Sequence, residues 1–236
     1  MRNPPTPPPT PGKKNEFDDE LAALVQRLYR EGVLAVELLE GAIDAFKRVD
    51  REQAARIRQR DDEVDREEVL IEEEAIRLIA LHQPVAVDLR RLMLVIKVNA
   101  DIERIADHAA GVCKTVLYLK DAPAPTWPTS LVDMADRVLP RAHETLRAFQ
   151  SQDDAAAERI IKNDRTLDIL AKRAFEEIEQ TEGAGRISAN AALLAFRASR
   201  ELERVSDLLG SICEDIIYMQ TGRIVRHTKN QDAPPR

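Results

Sequence analysis

From Phe17 onward, large apolar side chains recur every three or four positions: Leu21, Leu24, Val25, Leu28, Val36, Leu39, Ile43 and Phe46. That spacing lines one face of an α-helix and predicts a first helix ending at about Arg48. A second helix is expected from about Arg51 to Ala80, with Ile57, Val64, Ile71, Ala75 and Leu78 on one stripe. His82-Gln83-Pro84 ends it, because proline disfavours helical backbone at the residue before it. A third helix follows over roughly Val87 to Leu119, its stripe running through Val95, Val98, Ile102, Ala106, Ala109 and Cys113.

The second half of the chain repeats this plan. After a stiff, proline-containing linker from Asp121 to Pro128, Thr129 or Ser130 can cap a helix near 130–150, which Pro140 should bend. Another helix is expected near 153–181, then a Gly183-Ala184-Gly185 break, then a long final helix from Ser188 to about Gln220. Phe46 corresponds to Phe149 and Asp65 to Asp168 at an offset of 103, while the last helices match at 100, so a three-residue loop difference separates the halves. Short connections make consecutive helices antiparallel neighbours. The expected fold is all-α: six helices in two tandem, internally repeated three-helix bundles, over 16–120 and 129–222, joined by the linker 121–128. Residues 1–15 are proline-rich with almost no large apolar side chains and read as a disordered tail, and 223–236 as a flexible one.

Composition agrees with helices: aromatic residues are only 4%, and Ala, Leu, Glu, Arg and Asp dominate. A net charge of −7 argues against a nucleic-acid partner, whose phosphates need a basic surface. No segment approaches the roughly 18 apolar residues that span a bilayer, and the N-terminus lacks the apolar stretch of a secretory signal, so a cytoplasmic protein is expected. Cys113 and Cys213 occupy matching repeat positions and read as buried core residues.

The chemistry lies in repeated acidic pairs. Asp101-Ile-Glu103-Arg104-Ile-Ala-Asp107 returns as Glu201-Leu-Glu203-Arg204-Val-Ser-Asp207, and Asp61/Asp65 returns as Asp164/Asp168. Residues four apart share a helix face, so each pair sets two like charges side by side. Such spacing arises freely in a chain with 33% charged residues, but recurrence at equivalent places does not. Each pair flanks its helix's apolar stripe, so the two pairs of one half could converge in a groove between helices. Salt bridges from Arg104 and Arg204 could neutralise them; so could a hard or borderline cation, which oxygen-rich sites favour.

The Glu-Arg-Ile-Ala-Asp and Glu-Arg-Val-Ser-Asp cores, together with the Asp-Glu-Val-Asp of residues 62–65, resemble the bacterial PhoU phosphate-signalling family. The resemblance covers nearly all of residues 17–222. It implies two tandem three-helix bundles and metal ions, Mg, Mn, Fe or Zn, held by Asp61, Asp65, Glu103 and Asp107 in one half and by Asp164, Asp168, Glu203 and Asp207 in the other. Arg104, Arg204 and His108 would stand around those ligands. It also implies a non-enzymatic regulator that links a phosphate-transport ATPase subunit to a phosphate-sensing histidine kinase, meets membranes only through those partners, and forms a homodimer. The second half departs from the first, since Leu208 stands where His108 would be and Arg165-Thr166 replaces Asp62-Glu63, which points to weaker binding or a different ion there.

Two rivals remain at this level. A ferritin-like di-metal carboxylate enzyme would carry a Glu-x-x-His motif on two helices, and no Glu or Asp lies three residues before His82, His108, His143 or His227. The other is a metal-free helical adaptor, whose carboxylates simply form solvated faces.

Overall fold

The computed structural model describes residues 11–119, 124–163, 165–223 and 225, with side chains from 16 onward, residue 165 excepted. Seven helical segments appear among them: α1 (Pro11–Arg48), α2 (Arg51–His82), α3 (Val87–Leu117), α4 (Thr129–Ser151), α5 (Asp154–Lys162), α6 (Arg165–Gly183) and α7 (Ala189–Thr221). The first helix starts inside the segment expected to be tail, at Pro11, whose fixed φ suits a first helical position. Helix α4 runs through Pro140 without interruption. Helices α5 and α6 share the place of the one middle helix expected over 153–181, and α5 closes on Asn163 as its C-cap.

The repeat extends to backbone detail. Asp50 caps α2 by accepting from the Gln53 amide at 2.9 Å, and Asp153, 103 positions on, caps α5 by accepting from Ala156 at 2.8 Å. The residue before each cap has positive φ, 57° at Val49 and 52° at Gln152, which turns the chain tightly enough to lay the next helix against the last. At the second turn of the first half, Gln83 takes the left-handed conformation as C-cap of α2, directly before Pro84.

Helices α1, α2 and α3 pack on one another as one bundle, and α4, α5, α6 and α7 as the other. The bundles share a continuous core, because α3 also packs along α7 and α1 along α4. This central position explains why α3 and α7 are apolar around much of their circumference: Ile105, Ala110, Val112 and Val116 are buried in addition to the stripe read from the sequence. Cys113 and Cys213 are both buried in this core, as their matching repeat positions led one to expect. The linker is anchored too, with the Trp127 ring stacked on Phe46 at 4.5 Å and its Nε1 donating to the Phe46 carbonyl at 2.7 Å. Among the described residues, no helix is long and apolar enough to cross a membrane.

Candidate metal centre

Antiparallel packing of α2 on α3 pairs the ascending series Asp61, Asp65, Glu68 with the descending series Asp107, Glu103, Asn99. The Asn99 amide fixes the register by donating to the Glu68 carbonyl oxygen at 2.9 Å. The electrostatics follow this ladder. Burial, then the charges of Asp107 and Asp65, push the Asp61 carboxyl up to about 6, against a smaller opposing pull from Lys114. Burial and Asp107 likewise raise Asp65, and burial, Asp107, Asp65 and Glu68 raise Glu103. Asp61 also adds to the burial that pushes the Cys113 thiol up to about 12, which places this carboxylate against the core. Its Oδ1 is buried and has no hydrogen-bond partner. Asp61, Asp65, Glu103 and Asp107 therefore lie within electrostatic reach of one another, as like charges that Lys114, Arg66 and Arg104 offset only in part.

Two further carboxylates belong to this groove. Glu68 is raised by burial, Glu72 and Asp65. Glu31, on α1, is only 2% exposed, and both its carboxylate oxygens are buried without a partner. Burial first, then the charges of Glu68, Glu67 and Glu103, push its carboxyl up to about 9, although Arg27 opposes them. The sequence carries a sign of this residue: Leu24, Leu28, Glu31, Ala35 and Leu38 follow one another at the four-three spacing of a buried stripe, with the glutamate in its middle.

The arginines do not neutralise the groove. Arg104 is exposed and lies 3.6 Å from Asp101 rather than on Glu103, whose carboxyl it lowers by less than burial and the neighbouring carboxylates raise it. Arg27 is committed to Glu67, Nε to Oε2 at 2.8 Å. His108 faces the other half instead of solvent, its Nδ1 2.8 Å from Oε2 of Glu201 on α7. Burial works against ionised Glu201, but His108, with Arg197 and Arg204 nearby, outweighs it and holds that carboxyl below its ordinary range. Gly111 makes room for this contact, since a β-carbon there would lie 2.7 Å from the Glu201 carboxyl carbon.

The corresponding place in the second half differs. Asp164 lies outside the described residues, Asp168 and Asp207 are exposed, and half-buried Glu203 accepts a hydrogen bond from Arg200. The 103-residue offset puts Met134 at the position of Glu31 and Ala171 at that of Glu68. Met134 is fully buried, so packing fills the space where the first half holds a carboxylate.

An oxygen-only donor set, an orphaned buried Asp61 oxygen and mutual repulsion are what a hard cation would relieve, so the residues of the first half fit such an ion. Among the described residues no three His, Cys, Asp or Glu side chains form a ready-made cage, so binding requires side-chain rotation, which the exposed Asp65 and Asp107 permit.

Comparison with known proteins agrees with the duplicated fold. The model of the PhoU domain matches residues 28–116 and again 131–216. A phosphate-specific transport system accessory protein PhoU homolog of Xylella fastidiosa (strain Temecula1) is 32% identical over 93% of this chain and 88% of its own length. The Escherichia coli (strain K12) accessory protein PhoU is 30% identical over 90% of this chain and 88% of its own. Among solved structures, the phosphate transport system regulatory protein PhoU from Streptococcus pneumoniae superimposes with a TM-score of 0.82 at 30% identity, covering 89% of this chain and 99% of that one.

Proposed function

The chain belongs to the PhoU family, and from that premise we propose that it is an accessory protein of a phosphate-transport system that works through a cation-binding acidic groove. Its relatives are named as accessory or regulatory proteins of phosphate transport, which fits a binding and signalling role without catalysis. The finer reading gives it the phosphate-transport ATPase subunit and a phosphate-sensing histidine kinase as partners in the cytoplasm, and a second copy of itself. Exposed apolar side chains at the turn between α2 and α3, Leu81 and Val85 among them, offer such partners surface to bury.

The observation that carries the cation reading is the concentration of Asp61, Asp65, Glu103 and Asp107 in one groove with a buried, unpartnered Asp61 oxygen. These four residues would hold the ion, whose contribution is positive charge. Their own part is to lock α2 to α3 and to present a less negative face to a partner. The second half, with Glu203 engaged by Arg200 and no counterpart of Glu31 or Glu68, would bind more weakly.

One experiment tests role and groove together. Deleting the gene is expected to derepress a phosphate-starvation reporter in phosphate-rich medium; the wild-type gene should restore repression and the Glu103→Ala/Asp107→Ala variant should not. A reporter indifferent to the deletion contradicts the regulatory role, and full rescue by the variant contradicts the part given to the groove. A metal-free adaptor is distinguished in vitro: chelation should lower the melting temperature and Mn²⁺ should raise it again, since a ligand of the native state stabilises it by mass action. No response to either would favour the metal-free reading.

A further inference from the structure

We infer that the first bundle contains a second, inner cation position, one to two helical turns along the groove from Asp61 and Asp107, formed by the carboxylates of Glu31, Glu68 and Glu103 and the side-chain oxygen of Asn99. Two independent observations point there. Glu31 on α1 is 2% exposed with both oxygens lacking a partner, and Asn99 on α3 is 1% exposed with its Oδ1 also buried and unpartnered. Both converge on the same stretch of α2: Asn99 donates its amide to the Glu68 carbonyl, and Glu68 is the charge that acts most strongly on Glu31. Glu103, which also acts on Glu31, lies one turn from Asn99 on α3.

Leaving three such oxygens unsatisfied inside a packed bundle is costly, and a cation satisfies them at once. A proton on Glu31 would discharge one carboxylate while leaving Glu68 and Glu103 facing each other. The donors are all oxygen, one of them a carboxamide, which selects a hard divalent ion of the Mg²⁺, Mn²⁺ or Ca²⁺ class over one that prefers nitrogen or sulfur. No three such side chains already stand at ligand distance among the described residues, so half-buried Glu68 and Glu103 would turn inward to close on it. The second half lacks this position, because Met134, Ala171 and Ser199 occupy the places of Glu31, Glu68 and Asn99.

This inference extends the groove reading but separates from it experimentally. Mn²⁺ binding to the full-length protein would be measured by titration calorimetry and by metal analysis after gel filtration, for the wild type, for Glu31→Met, and for Asp61→Asn/Asp65→Asn. Glu31→Met copies the second half and should lose one Mn²⁺ equivalent while keeping the outer one; Asp61→Asn/Asp65→Asn should lose the outer equivalent and keep the inner. Glu31→Gln serves as the smaller change if the methionine does not fold. Wild-type stoichiometry in both Glu31 variants, with Mn²⁺ still bound, overturns the inner position alone and identifies Glu31 as a protonated core carboxyl. Loss of all Mn²⁺ in Asp61→Asn/Asp65→Asn also overturns it. A wild type that binds no Mn²⁺ overturns the groove reading and the inner position together.

Discussion

Glu31 sits where a helix stripe would ordinarily place leucine or methionine, and its position has a consequence for pH. Its carboxyl is raised from an ordinary 4.5 to about 9, chiefly by burial and then by Glu68. A group whose folded-state value is raised contributes stability below the unfolded value and loses it as pH climbs through the folded one. In chelator, the wild type should therefore lose stability steadily between about pH 4.5 and 9, and Asp61 adds to the loss near its own value of about 6. Glu31→Gln should flatten this dependence and be the more stable protein at pH 8, by on the order of a few kcal/mol. Urea denaturation across that range measures it; parallel wild-type and variant curves would show that burial costs Glu31 little. Glu201 has the opposite sign. Its lowered carboxyl contributes stability above its ordinary value and loses it in acid, as the pH falls through the depressed one.

Helices α3 and α7 form the seam between the bundles, and the polar links that cross it include His108 to Glu201 and Lys97 Nζ to Asp215 Oδ1 at 3.2 Å. Gly111 permits the first by omitting a side chain. Gly111→Ala should improve intrinsic helix propensity yet push Glu201 off His108, for a net destabilisation of about 1–3 kcal/mol. In a thermal melt the combination with Glu201→Ala should cost clearly less than the sum of the two single changes, while an additive double variant would mean that the carboxylate is not what the new methyl meets. These elements differ in how far the sequence disclosed them. Stripe spacing, Pro84 and the Gly183–Gly185 break located the long helices to within a few residues, because each signal is local. The His108–Glu201 contact was not legible, joining residues 93 positions apart that only the docking of the two bundles brings together.

Duplication and divergence of the two halves explain the molecule's asymmetry. Recurrence of Asp61/Asp65 and Glu103/Asp107 made one groove readable in advance, because i,i+4 geometry survives from sequence to helix unchanged. The burial of Glu31 beside the groove was missed because it depends on α1 packing over α2 and α3, although a glutamate inside an apolar stripe was a usable sign. The shared core keeps both halves in one body, so the second can lose groove carboxylates to Met134 and Ala171 and still serve as scaffold. Elemental analysis of the purified full-length protein after loading with Mn²⁺ separates the halves. Glu103→Ala/Asp107→Ala should lose most of the bound metal, and Glu203→Ala/Asp207→Ala should retain it, with helical circular dichroism intact in both. Equal metal content in the two variants and the wild type would contradict the account.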